Sequence, residues 1–222
     1  MRPDAIIFDF DGVLLESEFA GNRHLAELLT ELGHPTSVQD ALTHFTGLSG
    51  NDFIAAIEGR IGARLPDRFH ELRAVEDERA LREGIQAVAG AVEFVRSLPP
   101  DLPKAVASSS TSQWIRTHLD RLGLAGCFRD HLYSGREHVE HGKPAPDLYW
   151  HAAGQLGVPI ERCAIIEDSE VGAKGALASG ARVIGLVAGS HCLDGHDDRL
   201  KALGVREIAR DFGELRRLLD LA

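Results

Sequence analysis

Cysteine, long apolar runs and positive charge are all in short supply in this chain, and each shortage excludes a class of protein. Three cysteines, Cys127, Cys163 and Cys192, stand far apart in 222 residues. An odd, scattered set speaks against a disulfide framework and for reduced thiols in a cytoplasmic compartment. No apolar run approaches the roughly 20 residues that cross a bilayer. Met1-Arg2-Pro3-Asp4 leads into a short strand without the apolar region of a secretory leader. With 24 Lys and Arg against 34 Asp and Glu, the net charge is -10. Nucleic acid and anionic membranes reward basic patches, so neither is expected as a partner. Long repeats and low-complexity segments are absent too, and a monomer or weak homodimer is expected. The length suits one to two domains with a core large enough to fold alone.

What is present begins at residue 5. Ala5-Ile6-Ile7-Phe8 is a short apolar run that ends in Asp9-Phe10-Asp11-Gly12. It suits a strand covered on both faces, and side-chain alternation sends Asp9 and Asp11 to the same side where the strand ends. Ligands of open parallel sheets sit beyond the carboxyl ends of the strands, so two acids there are placed for a ligand. An ordinary Asp-Gly turn would look the same in isolation. Three further segments repeat the design. Lys104-Ala105-Val106-Ala107 runs into Ser108-Ser109-Ser110, Gly142-Lys143-Pro144-Ala145-Pro146-Asp147 precedes a helical pattern, and Cys163-Ala164-Ile165-Ile166 runs into Glu167-Asp168-Ser169. Each has a plain alternative. Ser108 could cap the helix that starts near Thr111 or Ser112, Lys143 could be a solvated loop lysine, and residues 167–169 could be the acidic first turn of a helix. Together they bring carboxylates, a hydroxyl and an ammonium to successive strand ends.

Between the first strand and Ile85 the pattern is helical. Leu25, Leu28, Leu29 and Leu32 share one helical face that ends at Gly33-His34-Pro35, and further helices are expected over Gln39–Thr46, Asn51–Ile61 and Pro66–Arg82. Residues 16–86 therefore read as an inserted α-helical domain, and residues 1–15 with 87–222 as the core. There a helix over Val88–Leu98, a strand at Lys104, a helix over Ser112–Leu122, a short strand near Leu132, a helix over Pro146–Leu156 and a strand over Arg182–Leu186 follow in turn. Strand then helix, repeated, predicts an α/β fold with a doubly wound, Rossmann-like parallel sheet. His191, Cys192, His196, Asp197 and Asp198 crowd together, as do His138 and His141, but neither spacing matches a zinc pattern and both groups are expected as solvated loop. Trp114 and Trp150 are expected to serve packing.

The four segments, D-x-D-G-V-L from Asp9, the strand-end Ser108, Lys143 in G-K-P-x-P-D, and E-D-S-x-x-G from Glu167, resemble in order and spacing the motifs of the haloacid dehalogenase superfamily of aspartate-nucleophile phosphotransferases. The match spans nearly the whole chain. It implies a Mg2+-dependent phosphomonoesterase with a helical cap, acting on a small phosphorylated substrate such as a sugar phosphate. By this resemblance Asp9 is the nucleophile, Asp11 the general acid and base, and Ser108 and Lys143 hold phosphoryl oxygens. Asp9, Glu167, Asp168 and the main-chain carbonyl of Asp11 would hold the metal. Uncatalysed phosphate monoester hydrolysis needs acceleration by up to about 10²¹, so several charge-neutralising groups are required at once. Substrate contacts are expected from Gly12, Ser17, Glu18, Arg23 and Ser109, and from a cap loop with Gly47, Ser49 and Asn51.

The same family contains β-phosphoglucomutase. Its cap-loop Arg and hinge His align with Gly50 and Gly21, and its Lys and Asn after the second motif with Thr111 and Ser112, so a second phosphate would lack a bidentate partner. Haloacid dehalogenases of this fold lack the second aspartate, and phosphonate hydrolases need a cap lysine, of which residues 16–86 have none. Outside hydrolysis the alternatives are a phospho-accepting signalling receiver, which is shorter and has no helical insertion, and a binding module, which would be expected to lose Asp9 or Asp11.

Overall fold

A computed structural model describes residues 2–48 and 50–221. Strand β1 (Ala5–Phe8) is buried at every position because it has a parallel neighbour on each side, β2 (Lys104–Ser108) and β4 (Cys163–Glu167). Alternation then divides its side chains between two cores. Ile6 and Phe8 enter one apolar cluster, Ala5 and Ile7 the other. With β3 (Leu132–Ser134), β5 (Arg182–Leu186) and β6 (Glu207–Ala209) the sheet is six-stranded, parallel throughout, in the order β3-β2-β1-β4-β5-β6. The strand order reverses between β1 and β4, which opens a crevice at their carboxyl ends. The doubly wound α/β class expected from the chain is the one observed.

Helices α1 (Ser17–Glu31), α2 (Val38–Phe45), α3 (Gly50–Ile61) and α4 (Asp67–Glu83) form the insertion, in register with the expected ranges to within a residue or two. They bury a cluster of their own, with Leu25, Leu28, Leu29, Phe45, Ile57 and Phe69 at its centre. Ser37 caps α2 by accepting the Asp40 N–H at 3.0 Å. Two adjacent connections join the insertion to the sheet: the Glu16 N–H donates to Gln86 O at 2.9 Å, and Val88 N–H to Leu14 O at 3.1 Å. From the core, Arg121 donates to the carbonyls of Leu81, at 2.9 Å, and Arg82 at the end of α4.

The next helix, α5 (Ala91–Ser97), starts three residues later than the apolar pattern predicts. The Val88 amide is spent on the hinge, and Gly90 takes a left-handed φ of 87° as its N-cap. Around the sheet follow α6 (Ser112–Leu122), α7 (Ala125–Phe128), α8 (Asp147–Leu156) and α9 (Glu170–Ser179). Two short helices, α10 (His196–Ala202) and α11 (Phe212–Leu218), flank β6; each spans seven residues, too short for apolar periodicity to announce. No helix among the described residues is long and apolar enough to cross a membrane.

Candidate active site

The crevice at the switch point gathers the strand-end residues. Asp9 follows β1, Glu167 closes β4 with Asp168 next, and Lys143 comes from the segment ahead of α8. Carboxylate oxygens of Asp9, Glu167 and Asp168 lie within 4.8 Å of one another, all three residues buried. Lys143 Nζ donates to Asp9 Oδ1 at 2.7 Å and to Glu167 Oε1 at 2.6 Å, and the Tyr149 hydroxyl donates to that same Glu167 oxygen at 2.5 Å. Burial, then the neighbouring Glu167 charge, raises the Asp9 and Asp168 carboxyls well above the usual carboxylate range. Burial pulls Lys143 down, but Asp9 and Glu167 outweigh it and hold the ammonium well above its ordinary value. One ammonium does not balance three acids. Both Asp168 oxygens are buried; Oδ1 has no hydrogen-bond partner among the described residues, and Oδ2 has the His191 Nε2 beside it at 2.7 Å. This set of hard oxygen ligands fits a divalent cation such as Mg2+.

The Asp11 side chain stands outside this acidic group. Its Oδ1 accepts from Ser17 Oγ at 2.7 Å and Trp114 Nε1 at 3.0 Å, and its Oδ2 from Ser108 Oγ at 3.0 Å and Ser110 Oγ at 2.7 Å. As a ligand of the metal, Asp11 therefore has only its main-chain carbonyl to offer. The capping alternative for Ser108 falls away, since α6 is capped by Thr111, which accepts the Trp114 N–H at 3.3 Å. Trp114 corrects the expectation of mere packing: its indole N–H is bound to the second aspartate. Trp150 is half exposed and donates to Ser179 O far from the crevice.

A cavity of about 630 Å³ lies between crevice and insertion, with Asp9, Asp11, Ser108 and Lys143 on its floor. Of the expected substrate contacts, Ser17, Glu18, Gly47 and Ser109 line it. Glu18 is half-buried, and loss of solvation, partly offset by His191, pushes its carboxyl up to about 8. Gly47 abuts the Ser169 side chain, bringing the cap loop down onto β4's end. Ser49 lies outside the described residues. Arg23 and Asn51 are exposed and do not line the cavity, because α1 and α3 turn them to solvent. Gly12 is not a lining residue either; at φ 88° a Cβ there would sit 2.0 Å from Asp168 Oδ2, so its role is to let that carboxylate approach. Sequence reasoning missed Ser110, Tyr149, and Arg73 and Arg136 in the cavity wall. Ser110 had a signal in the serine run; the others are brought in only by folding.

The group around His191 is not solvated loop. His191 and His196 are 2% and 5% exposed, because the segment after β5 folds back over Asp168. Asp198 remains exposed, as do His138 and His141.

Comparison with known proteins places these residues in a family. The family model for haloacid dehalogenase-like hydrolase matches residues 3–180. The chain is 27% identical to 6-phosphogluconate phosphatase of Escherichia coli over 86% of its own length and 85% of that protein's. It is 29% identical to hexitol phosphatase A of the same organism, over 85% of each. Among solved structures, a haloacid dehalogenase family hydrolase of Deinococcus radiodurans, crystallised with bound phosphate and sodium, superposes with a TM-score of 0.81 at 32% identity, covering 98% of this chain and 95% of that one. Family model, fold and the set of acids and lysine at the switch point agree, and the chain belongs to the haloacid dehalogenase-like hydrolases.

Proposed function

We propose that this protein is a Mg2+-dependent phosphomonoesterase of small phosphorylated metabolites, sugar and polyol phosphates foremost, working through an aspartyl phosphate on Asp9. The observation that carries this reading is the buried Asp9 carboxylate, paired to Lys143 at 2.7 Å on the floor of a cavity that also exposes Asp11. A free Asp9 oxygen attacks phosphorus and the ester oxygen leaves. Asp11 donates the proton that the leaving alkoxide needs, then accepts one from the water that attacks the phosphoryl group and releases Asp9. Its hydrogen-bond set supports both states. Three of its partners are hydroxyls that can turn from donor to acceptor when the carboxyl carries a proton; the indole cannot, so it fixes the carboxyl's orientation throughout.

Ser108 and Lys143 would hold phosphoryl oxygens, as preorganised donors do where charge develops. Asp9, Asp168, Glu167 and the Asp11 carbonyl would hold Mg2+, which supplies neutralisation of the phosphoryl charge. Glu167, tied to Lys143 and Tyr149, serves chiefly to aim the ammonium. The paired hinge segments support dividing the chain into a core of 1–15 with 87–222 and a cap of 16–86, with specificity in the cap. Three free cysteines support a reducing, cytoplasmic setting. The names of the two bacterial relatives support phosphorylated sugar acids and polyols as the substrate class. Gly21 and Gly50 line the cavity where a mutase would need a His and an Arg, which disfavours the mutase reading.

The test is inorganic phosphate release from hexitol phosphates, hexose phosphates and 6-phosphogluconate, with Mg2+ and then with chelator. Release that needs Mg2+ and disappears in Asp9→Asn is expected. No release from any ester, release indifferent to chelation, or faster isomerisation of glucose 1-phosphate than hydrolysis would overturn the proposal.

A further inference from the structure

The segment that runs from β5 into the first residue of α10 takes no part in the chemistry above, yet it carries two buried histidines, His191 and His196, against the metal-ligand candidate Asp168. His196 Nε2 lies 2.5 Å from the main-chain oxygen of Asp168. Its other nitrogen, Nδ1, is 3.0 Å from Arg199 Nη2. A guanidinium can only donate, so Nδ1 is the acceptor and the ring proton is on Nε2, facing the Asp168 carbonyl. His191 holds the other end of the residue. Its Nε2 is 2.7 Å from Asp168 Oδ2, with side chains 0% and 1% exposed.

The fit around that contact is tight. A Cβ on Gly12 would lie 2.0 Å from Asp168 Oδ2 and 2.8 Å from His191 Cε1, and one on Gly189 would lie 2.6 Å from His191 Nδ1. The Asp168 carboxylate thus has the Gly12 turn and the His191 ring packed against it, with oxygens of Asp9 and Glu167 within 4.8 Å. Glu16, at the hinge, accepts the Ser190 N–H with both oxygens, at 3.2 and 3.1 Å, and ties the segment in place.

His191, Cys192 and His196 also bring ligand atoms within 4.8 Å of one another. Both His196 nitrogens are already engaged, however, so a metal there would have to displace the Asp168 carbonyl or Arg199. The group works as a clamp.

Resting on the reading that Asp168 helps to hold the cation, we infer that His191 and His196 are positioning residues that aim Asp168, one through its carboxylate and the other through its main chain. Outer-shell partners of this kind are typically worth about 10- to 100-fold in metal affinity. Calorimetric titration of Mg2+ into the protein reads the effect directly, without turnover. His191→Ala and His196→Ala are each expected to raise the Mg2+ Kd about 10-fold or more. His191→Gln and His196→Gln, which keep an N–H near the same place, should recover most of that loss. Dichroism and the thermal midpoint establish that each variant is folded. Should an alanine variant fail to fold, Arg199→Ala, at a half-exposed position, carries the test with an expected rise of about threefold or more. Unchanged Mg2+ affinity in the folded variants, or glutamine variants no better than alanine, would overturn the clamp alone. A wild-type protein that takes up no Mg2+ would overturn the clamp and the proposed metal dependence together.

Discussion

Asp11 shows how much of a site's chemistry can sit in the partners of one side chain. Four donors converge on its two oxygens, three from residues with no catalytic chemistry of their own. Of these the indole N–H of Trp114 is the most telling, because it cannot reverse its polarity and its ring stays packed against His118 at 4.2 Å between centroids. Trp114→Phe keeps the packing and removes the donor. A hydrogen bond to a charged group contributes about 1.5–3 kcal/mol to stability, so the thermal midpoint is expected to drop by several degrees. With the proton carrier no longer fixed in orientation, kcat is expected to fall by about 10-fold in the folded variant. A shifted pH profile of kcat would accompany the loss; unchanged kcat and profile would show that the indole only packs. The two aspartates were legible in the chain because their spacing of two marks one side of a strand end. Trp114 was not, since it meets Asp11 across 103 residues.

At the scale of elements, local rules accounted for most starts and stops. Ser37, Thr111, Ser169 and Asp211 each cap a helix with a side-chain oxygen. Because Thr111 rather than Ser108 caps α6, the two can be separated by substitution. Thr111→Ala is expected to cost about 1 kcal/mol, a midpoint drop of about 2–4 °C for a chain of this size. Ser108→Ala, which also frees the Ser110 N–H that its hydroxyl accepts at 2.9 Å, should lower the midpoint by a comparable amount but reduce phosphate release as well, which Thr111→Ala should not. Full release in folded Ser108→Ala would return Ser108 to a structural role. Where local rules failed, tertiary pairing had taken over, as at α5, whose expected first turn is drawn into the hinge. The strand β6 is three residues long and exists through its ladder to β5.

For the whole molecule, the gathering of acids in one crevice makes stability depend on pH and on cations. Glu18 titrates at about 8 in the fold against 4.5 as an ordinary Glu, and Asp9 and Asp168 are shifted the same way. An acid with a raised folded value stabilises below its unfolded value, and that contribution is lost as pH rises through the folded one. His191 and His196, lowered by burial, run the other way, but they are neutral in both states above about pH 6.5. Metal-free protein is therefore expected to lose thermal stability between pH 6.5 and 8. Glu18→Gln should flatten the slope, and Mg2+ should stabilise more at pH 8 than at 6.5. A midpoint that rises over that interval without metal would contradict the buried-acid account. By itself the sequence determined the strands as far as β5, the helices of the insertion and the acids at the ends of β1 and β4, because apolar runs, their periods and strand-end polarity act over a few neighbouring residues. Only the tertiary structure decided that Asp11 turns away from the other acids, that Trp114 binds it, and that two histidines from beyond β5 close over Asp168. Those contacts join segments tens to more than a hundred residues apart, and no local pattern encodes which distant surface a side chain will meet.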